Sequence, residues 1–455
     1  MSARPPIPSG PYLIVGLARS GVAAASMLGA RGERAIGVDT GTPPGAQALA
    51  AQGVELHLRD DGLAQLERVG AVVKSPGVPA RAPVIAEARA RGLPVLGELE
   101  LAWRLLPNDF IAVTGTNGKT TTVELIGHIH RVAGLPVAVA GNVGTALSSL
   151  VGRLDEQATI VCETSSFQLE DTLAFAPQAT VLLNITPDHL DRHGTLEAYR
   201  EAKLRIFANQ GAGGVAVLPV ALAGIQLPPG VRRVCFDADP HPDVAAPRLR
   251  GEHNRQNAMA AAAVCLARGI DLDAVREGMR TFVGVPHRLQ EVGARNGVVY
   301  VNDSKATNVA STRVALQAFP EGGVHLILGG QGKRQDFAPL REPVAASCRG
   351  VYLIGEDAPS IAAALEGVAV RVGKAAREGT VLREGTAARE GAASREGTAI
   401  PLHECGDLER AVAVASAAAS AGETVLLSPA CASFDQFADF EARGERFLKL
   451  VGEIM

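Results

Sequence analysis

A short glycine-containing segment carries the residues of this chain best suited to phosphate chemistry. It is Gly115-Thr116-Asn117-Gly118-Lys119-Thr120-Thr121, with an apolar run before it and helical apolar spacing after it. Strand, glycine loop and helix in this order direct backbone N–H groups and a helix N-terminus at a bound phosphate. Lys119 would contact the terminal phosphates of a nucleotide, and the Thr120 hydroxyl would hold Mg²⁺.

The loop departs from the regular Walker A pattern because Val113 stands where that pattern has its first glycine. The alternative interpretation is a glycine turn that precedes an ordinary helix and binds nothing. The strand before the loop and the helix after it favour the nucleotide interpretation.

Two further candidates follow later apolar runs. Glu163 comes directly after Thr159 to Cys162, and His189 follows the run Val181 to Asn184 among acidic residues. Ligands of open α/β sheets bind beyond the carboxyl ends of the strands, so we expect Glu163 to hold a metal ion. His189 is a candidate metal or substrate ligand. The alternatives are a residue beside a helix N-cap for Glu163 and a solvated side chain for His189.

Lysine is rare in this chain. Seven of the 44 basic residues are lysine, and the others are arginine. A lysine kept in such a composition can mark a site where guanidinium cannot substitute, such as a carbamate or a compact phosphate contact. Lys203, in a segment of helical spacing from Leu196 to Phe207, is one candidate, and a surface lysine is the alternative.

Another candidate lies at the start of a strongly apolar helix, Ala258 to Ala267. Asn254 is expected to cap this helix at its N-terminus. Asn257 is one turn further on, where capping does not explain it, and could meet a nucleotide base or ribose.

Composition excludes several functional classes. The net charge is −4 and the pI is near 6.2, which argues against nucleic acid or an anionic membrane as the main partner. The six cysteines are scattered and none has zinc-ligand spacing, so reduced thiols in the cytoplasm are expected. The N-terminus has no apolar signal region, and the most apolar later windows are too short to span a bilayer.

Strand and helix patterns alternate along the chain, which predicts an α/β protein of three domains. We expect an N-terminal Rossmann-like domain at 1–97, a central P-loop-type mononucleotide-binding domain at 98–285, and a C-terminal Rossmann-like parallel sheet at 286–455. The motif Arg-Glu-Gly recurs with a six-residue period from 377. It predicts a low-complexity surface insertion at about 374–400 without a function of its own.

The first domain opens with a glycine-flanked turn, Gly16 to Gly21, between two strand patterns. This turn is similar to a dinucleotide fingerprint, but Ala18 replaces the central glycine and leaves less room for a pyrophosphate. A nicotinamide dehydrogenase is therefore a rival interpretation that leaves the Lys119 loop unexplained.

Three longer motifs join these features: Ser165-Ser166-Phe167-Gln168-Leu169-Glu170, Asn302-Asp303-Ser304-Lys305-Ala306-Thr307-Asn308, and the loop from Ser428 to Phe437. With the phosphate loop, they resemble the Mur ligase family over nearly the whole chain outside the insertion. The resemblance implies an ATP-dependent ligase that adds D-glutamate to UDP-N-acetylmuramoyl-L-alanine through an acyl phosphate. It also implies two Mg²⁺ ions and a CO₂-derived carbamate on Lys203. A cytoplasmic monomer without nucleic-acid partners or membrane insertion is expected.

The resemblance assigns roles residue by residue. The implied catalytic residues are Lys119, Glu163, His189 and Lys203, and the implied metal ligands are Thr120, Glu163, His189 and carbamylated Lys203. The implied ATP contacts are Gly115, Thr116, Asn117, Gly118, Lys119, Thr120, Thr121, Asn257, Arg288 and Asp303. The UDP-substrate contacts would be Arg19, Ser20, Thr40, Asn142, Ser165 and His189. D-Glutamate would meet Lys305, Thr307, Lys333, Ser433, Phe434 and Phe440.

Two alternatives to this specific reaction remain. The chain could be another Mur ligase that adds a different amino acid. It could also be a phosphate-loop NTPase without ligase activity, which would hydrolyse ATP without an acceptor amino acid.

Overall fold

The structure, a computed structural model, describes residues 4–237, 251–319, 322–332, 335–372 and 400–454. The chain divides into two compact units, Met1–Arg248 with His253–Phe282, and Leu249–Glu252 with Val283–Met455. The first unit contains two sheets and the second contains one. The predicted α/β fold class is confirmed.

The first sheet has five parallel strands in the order β3-β2-β1-β4-β5. Its two faces are covered by separate apolar clusters, as expected for a parallel sheet with helices on both sides. The strands are β1 (Tyr12–Val15), β2 (Ala35–Asp39), β3 (Glu55–Leu58), β4 (Ala71–Lys74) and β5 (Val95–Gly97), and the helices are α1 (Arg19–Ala30), α2 (Ala46–Ala50), α3 (Pro83–Ala90) and α4 (Glu98–Leu105).

The second sheet has six parallel strands in the order β11-β10-β9-β6-β8-β7. Its strands are β6 (Phe110–Thr114), β7 (Val137–Gly141), β8 (Thr159–Glu163), β9 (Ala179–Leu182), β10 (Val215–Leu218) and β11 (Arg232–Cys235). Its helices are α5 (Lys119–Val132), α6 (Ser166–Leu169), α7 (Leu190–His193), α8 (Leu196–Leu204), α9 (Glu252–Ala267) and α10 (Leu272–Thr281). Strand β6 lies between β9 and β8, so the phosphate loop leaves the middle of the sheet.

Two local predictions in this region are wrong. The strand expected to reach Asn184 ends at Leu182, because the Asn184 side chain bonds the Asn117 backbone of the phosphate loop instead. Asn254 is not the N-cap of α9, since the helix already begins at Glu252. Its side-chain oxygen accepts a hydrogen bond from Asn257 Nδ2 at 3.3 Å.

The third sheet has seven strands in the order β12-β13-β18-β14-β15-β17-β16. The predicted parallel sheet is confirmed except at its edge, where β12 pairs antiparallel with β13. Its strands are β12 (Gln290–Arg295), β13 (Val298–Asn302), β14 (Val324–Gly329), β15 (Cys348–Ile354), β16 (Ala369–Arg371), β17 (Ile400–Gly406) and β18 (Thr424–Leu427), and its helices are α11 (Val309–Gln317), α12 (Arg341–Ser347), α13 (Ala358–Ala364), α14 (Leu408–Ala418) and α15 (Phe440–Ile454).

Short 3₁₀ helices occupy several connections, at Leu63–Arg68, Leu147–Leu150, Arg205–Phe207, Val220–Leu222 and Ala338–Leu340. Lys333 and the Arg-Glu-Gly repeat lie outside the described residues. In the described part of the chain, every helix is too short or too polar to span a bilayer.

Candidate active site

The phosphate loop joins β6 to α5, as the sequence predicts. Gly118 has a φ of 87°, a left-handed conformation that favours glycine, and α5 begins at the next residue. The ammonium of Lys119 donates to the carbonyls of Gly115 and Thr116, both at 2.9 Å. This geometry places the lysine over the loop, where the phosphates of a nucleotide would lie.

Glu163 lies beside the loop because β8 pairs with β6 in a register that aligns it with Val113. Its carboxylate is 2% exposed and accepts hydrogen bonds from the Thr120 hydroxyl at 2.8 Å and from Asn142 Nδ2 at 3.0 Å. The structure therefore brings together the hydroxyl and the carboxylate predicted to bind Mg²⁺.

This hydroxyl–carboxylate pair fits a Mg²⁺ ion on chemical grounds. Mg²⁺ prefers oxygen ligands and commonly keeps several waters beside one or two carboxylates. Among the described residues, no three His, Cys, Asp or Glu side chains group as a metal site. The Thr120 hydroxyl and the Glu163 carboxylate are oxygen ligands of the kind that Mg²⁺ prefers.

Lys203 is buried rather than on the surface. It is 1% exposed on α8, and its Nζ donates to the Gly115 carbonyl at 2.8 Å. Burial, together with the nearby Lys119 charge, lowers the pKa of its ammonium to about 7. A substantial fraction of this amine is therefore neutral near pH 7, which is the form that reacts with electrophiles.

His189 does not lie at a strand end. It follows β9 by several residues, has a φ of 51°, and its side chain is half exposed. Its ring lies 4.9 Å from the Phe167 ring and 6.3 Å from the Tyr199 ring. His189 thus belongs to an aromatic cluster beside Lys203, whose Nζ lies 4.5 Å from the Tyr199 ring centroid.

Asn257 lies against the phosphate loop. It is 4% exposed, and a Cβ added at Gly118 would fall 2.1 Å from its Oδ1. The glycine at this position is therefore required by both its conformation and the close approach of Asn257. The structure thus places this predicted ATP contact at the loop that would hold the phosphates.

The predicted UDP-substrate residues are spread along the C-terminal edges of the first two sheets. Arg19, at the start of α1, donates a hydrogen bond to the Asn142 carbonyl. Ser165 caps α6 in a capping box with Gln168. Ser20 is partly buried and Thr40 is exposed after β2.

Asp303 and Arg288 are the predicted ATP contacts in the second unit. Asp303 is 5% exposed and accepts hydrogen bonds from the Ser428 hydroxyl at 2.8 Å and the Leu289 amide at 3.1 Å. Burial raises the pKa of this carboxyl to about 7, while those two hydrogen bonds and the charge of Arg288 oppose the rise.

The predicted D-glutamate residues that the structure describes all lie in the second unit. Lys305 Nζ lies 5.7 Å from the Phe440 ring centroid, and Thr307 is two residues further along the same loop. Ser433 is buried, whereas the Phe434 side chain is 62% exposed. The exposed Phe434 ring is therefore available to a ligand.

Two residues that organise the site were missed from the sequence. Tyr199 is 1% exposed and donates its hydroxyl hydrogen to Thr116 Oγ1 at 3.2 Å. It precedes Lys203 by one helical turn, a spacing that could have revealed it. Arg443 is 1% exposed and donates to the carbonyls of Ser304 and Cys431, joining two loops of the second unit.

Comparison with known proteins identifies the family to which this chain belongs. Family models match residues 11–97 (Mur ligase MurD-like, N-terminal domain), 113–223 (Mur ligase middle domain) and 287–431 (Mur ligase, glutamate ligase domain). The UDP-N-acetylmuramoylalanine--D-glutamate ligase of Acidobacterium capsulatum is 39% identical over 96% of this chain and 95% of its own length. The chain belongs to the Mur ligase family.

A second relative gives the same picture for this Mur ligase. The UDP-N-acetylmuramoylalanine--D-glutamate ligase of Anaeromyxobacter dehalogenans is 40% identical, with 97% of each chain covered. The matched region covers nearly the full length, so it includes both sheets of the first unit and the sheet of the second.

Solved structures support the fold of this Mur ligase. The UDP-N-acetylmuramate-alanine ligase MurC of Thermotoga maritima matches with a TM-score of 0.54 at 18% identity, covering 98% of this chain and all of the other. The MurF ligase of Thermotoga maritima, in complex with ADP, matches with a TM-score of 0.55 at 16% identity, covering 93% and 96%.

Proposed function

We propose that this Mur ligase uses ATP to join D-glutamate to the terminal carboxylate of UDP-N-acetylmuramoyl-L-alanine, in the synthesis of peptidoglycan precursors. One geometric observation carries the proposal. Lys119, Lys203 and the Thr120–Glu163 pair all meet at one phosphate loop. A site for phosphoryl transfer between two anions needs this combination of cationic and metal-binding groups. The choice of D-glutamate rests on the names of the full-length relatives.

The first step would activate a carboxylate that is otherwise a poor electrophile, because its leaving group would be oxide. A carboxylate oxygen of the alanine attacks the γ-phosphorus of ATP, and the bond from phosphorus to the ADP oxygen breaks. Lys119 would stabilise the negative charge on the transferring phosphoryl group. Mg²⁺ held by Thr120 and Glu163 would neutralise further charge on the phosphates.

Lys203 is proposed to carry a carbamate. Its ammonium would first lose a proton; the neutral amine would then attack the carbon of CO₂ and release a second proton, so that a cation becomes an anion. The site favours this exchange, because Lys203 and Lys119 donate to the same carbonyl and two like charges there repel. The carbamate, Glu163 and His189 would then hold a second Mg²⁺ ion.

The second step would form the amide. The amine of D-glutamate attacks the acyl carbon of the acyl phosphate, phosphate leaves with the bonding electrons, and the amine loses a proton. We propose that Lys305, Thr307, Lys333, Ser433, Phe434 and Phe440 bind D-glutamate. Asn257, Arg288 and Asp303 would bind ATP, and Arg19, Ser20, Thr40, Asn142 and Ser165 would bind the UDP-sugar.

The test is phosphate release by the purified protein with ATP, Mg²⁺ and UDP-N-acetylmuramoyl-L-alanine. D-Glutamate should stimulate release strongly, and L-glutamate, L-alanine and meso-diaminopimelate should not. Stimulation by another of these amino acids would assign a different Mur ligase reaction. Steady ATP hydrolysis without any amino acid would instead favour an NTPase. We further propose that the protein acts in the cytoplasm, because its substrates are nucleotides and a free amino acid, and that it acts as a monomer.

A further inference from the structure

A buried ion pair joins the two sheets of the first unit. Lys74, the last residue of β4, is fully buried, and its Nζ lies 2.7 Å from Oδ2 of Asp171, whose side chain is 1% exposed. Asp171 follows α6 of the second sheet. A buried pair of this kind adds little stability over an apolar pair of similar volume. Its hydrogen-bonding geometry instead restricts how the two sheets are oriented at this contact.

The Lys74 ammonium also holds a turn of its own sheet. It donates to the carbonyl of Val78 at 2.8 Å, and the Val78 amide donates to the carbonyl of Ser75 at 3.0 Å. The Ser75–Val78 turn is therefore closed at its base by a cation that is paired with the second sheet.

A second cation also contacts the Ser75–Val78 turn. Arg192, in α7, donates to the carbonyl of Val78 at 3.0 Å and to those of Pro76 and Gly77 at 3.3 Å. Its guanidinium lies 3.4 Å from the Glu170 carboxylate and 4.7 Å from the centre of the Phe167 ring. Two consecutive carboxylates, Glu170 and Asp171, thus pair with two cations that share one carbonyl.

The Ser75–Val78 turn also supports the first glycine turn of the chain. The Ser75 hydroxyl donates to the Gly16 carbonyl at 2.6 Å. A Cβ added at Gly16 would fall 2.8 Å from Cγ2 of Val78, so the two turns are in close contact. Movement of one turn would therefore displace the other, which carries Arg19 and Ser20.

We propose that Lys74, Glu170, Asp171 and Arg192 form a turn clamp that positions the binding site for the UDP-sugar. These are positioning residues: they act through the Ser75–Val78 turn and the Gly16–Gly21 turn. The clamp fixes the edge of the first sheet that carries Arg19 and Ser20 relative to α7, the helix that begins directly after His189. It rests on the proposed function, because it assumes that one UDP-sugar contacts residues of both sheets.

The test uses three variants: Arg192→Ala, Arg192→Lys and a double variant. The double variant combines Lys74→Met and Asp171→Leu, so that no unpaired buried charge is left. For Arg192→Ala and the double variant, we expect the Kd for UDP-N-acetylmuramoyl-L-alanine, measured by calorimetry without D-glutamate, to rise roughly tenfold. The KM for that substrate should rise in parallel, while the KM for ATP changes less than about twofold. Arg192→Lys should recover part of the loss.

Arg104→Ala is the matched control. Arg104 lies 2.8 Å from Glu100 in a pair whose side chains are 10% and 0% exposed, and it also donates to a distant carbonyl, that of Pro6. Its loss should lower the thermal midpoint without changing the Kd. An unchanged Kd in Arg192→Ala, or an equal rise in the KM for ATP, would overturn the clamp.

The wild-type protein separates this inference from the proposed function. Absence of UDP-sugar binding would overturn both proposals. If UDP-N-acetylmuramoyl-L-alanine binds but D-glutamate does not stimulate turnover, the proposed function alone is overturned. The clamp would still be tested, because its test is the ratio of variant to wild-type Kd.

Discussion

Lys119 and Lys203 donate hydrogen bonds to the same carbonyl, that of Gly115, at 2.9 Å and 2.8 Å. One lysine belongs to the phosphate loop and the other to α8, so helix packing brings a second amine to the place where a nucleotide's phosphates would lie. The buried Lys203 amine has its pKa lowered to about 7 by desolvation and by the neighbouring Lys119 charge. This pairing makes the charge state of Lys203 the central variable of the site.

Replacing Lys203 by alanine should abolish most ligase activity, because the proposed anionic metal ligand is lost. Added formate or acetate should restore part of it by supplying a small carboxylate. The measurement is D-glutamate-dependent phosphate release with and without the added acid. A direct check is a ¹³C carbamate signal in wild-type protein equilibrated with ¹³CO₂ and its absence in Lys203→Ala. Full activity of the untreated variant would contradict the carbamate.

Gly118→Ala should disrupt the phosphate loop. A Cβ there would clash with Asn257 Oδ1, and the backbone φ of 87° disfavours alanine. We expect kcat/KM to fall by at least about 100-fold, since small displacements at a reacting centre are costly. Gly134→Ala is the control, because Gly134 has a φ of 69° but nothing within 4 Å of an added Cβ. It should cost about 1 kcal/mol of stability and leave activity unchanged.

Thr120→Val should test the hydroxyl alone, because valine keeps the shape of the threonine side chain but has no hydroxyl. The Thr120 hydroxyl donates to Glu163 at 2.8 Å and is the proposed oxygen ligand of Mg²⁺. We expect kcat to fall by roughly 100-fold and the Mg²⁺ concentration for half-maximal rate to rise. The Thr122 hydroxyl instead donates within the helix to the Gly118 carbonyl at 3.0 Å. The Thr122→Val enzyme should therefore show the Mg²⁺ dependence of the wild-type protein. An equal effect in both variants would argue against Thr120 as a ligand of Mg²⁺.

Asp303 should make the second unit less stable as the pH rises. Burial raises the pKa of this carboxyl to about 7, whereas an aspartate in an unfolded chain titrates near about 3.9. Between these values the folded protein holds the proton and the unfolded chain releases it. The contribution of this group to stability therefore falls as the pH rises from about 4 to 7 and is constant above that range.

Two variants test this sign by thermal unfolding between pH 5 and pH 8. Asp303→Asn removes the titrating group, so its midpoint should fall less over this range than that of the wild-type protein. Ser428→Ala removes a hydrogen bond that favours the ionised carboxylate, so the fall should extend to higher pH. Parallel curves for all three proteins would show that Asp303 keeps an ordinary pKa.

Local sequence patterns predicted the architecture well. Apolar runs of strand length followed by glycine or polar residues located β1, β6 and β8, because a buried parallel strand must be apolar on both faces. The antiparallel strand β12 was missed, since its exposed face lacks that signature. The predicted end of β9 was wrong because Asn184 was included in the strand, which ends at Leu182. The Asn184 side chain instead accepts a hydrogen bond from the phosphate loop, about 67 positions earlier in the chain.

The phosphate loop, the position of Glu163 after its strand and the α/β fold class follow from local sequence, because each depends on neighbours along the chain. The environments of Lys203, Tyr199 and Arg443 instead follow from long-range packing. Burial, pKa and hydrogen-bond partners depend on which distant segments pack together. Lys203 reads as a surface lysine in its helix, yet its ammonium lies beneath a carbonyl 88 residues away in the chain.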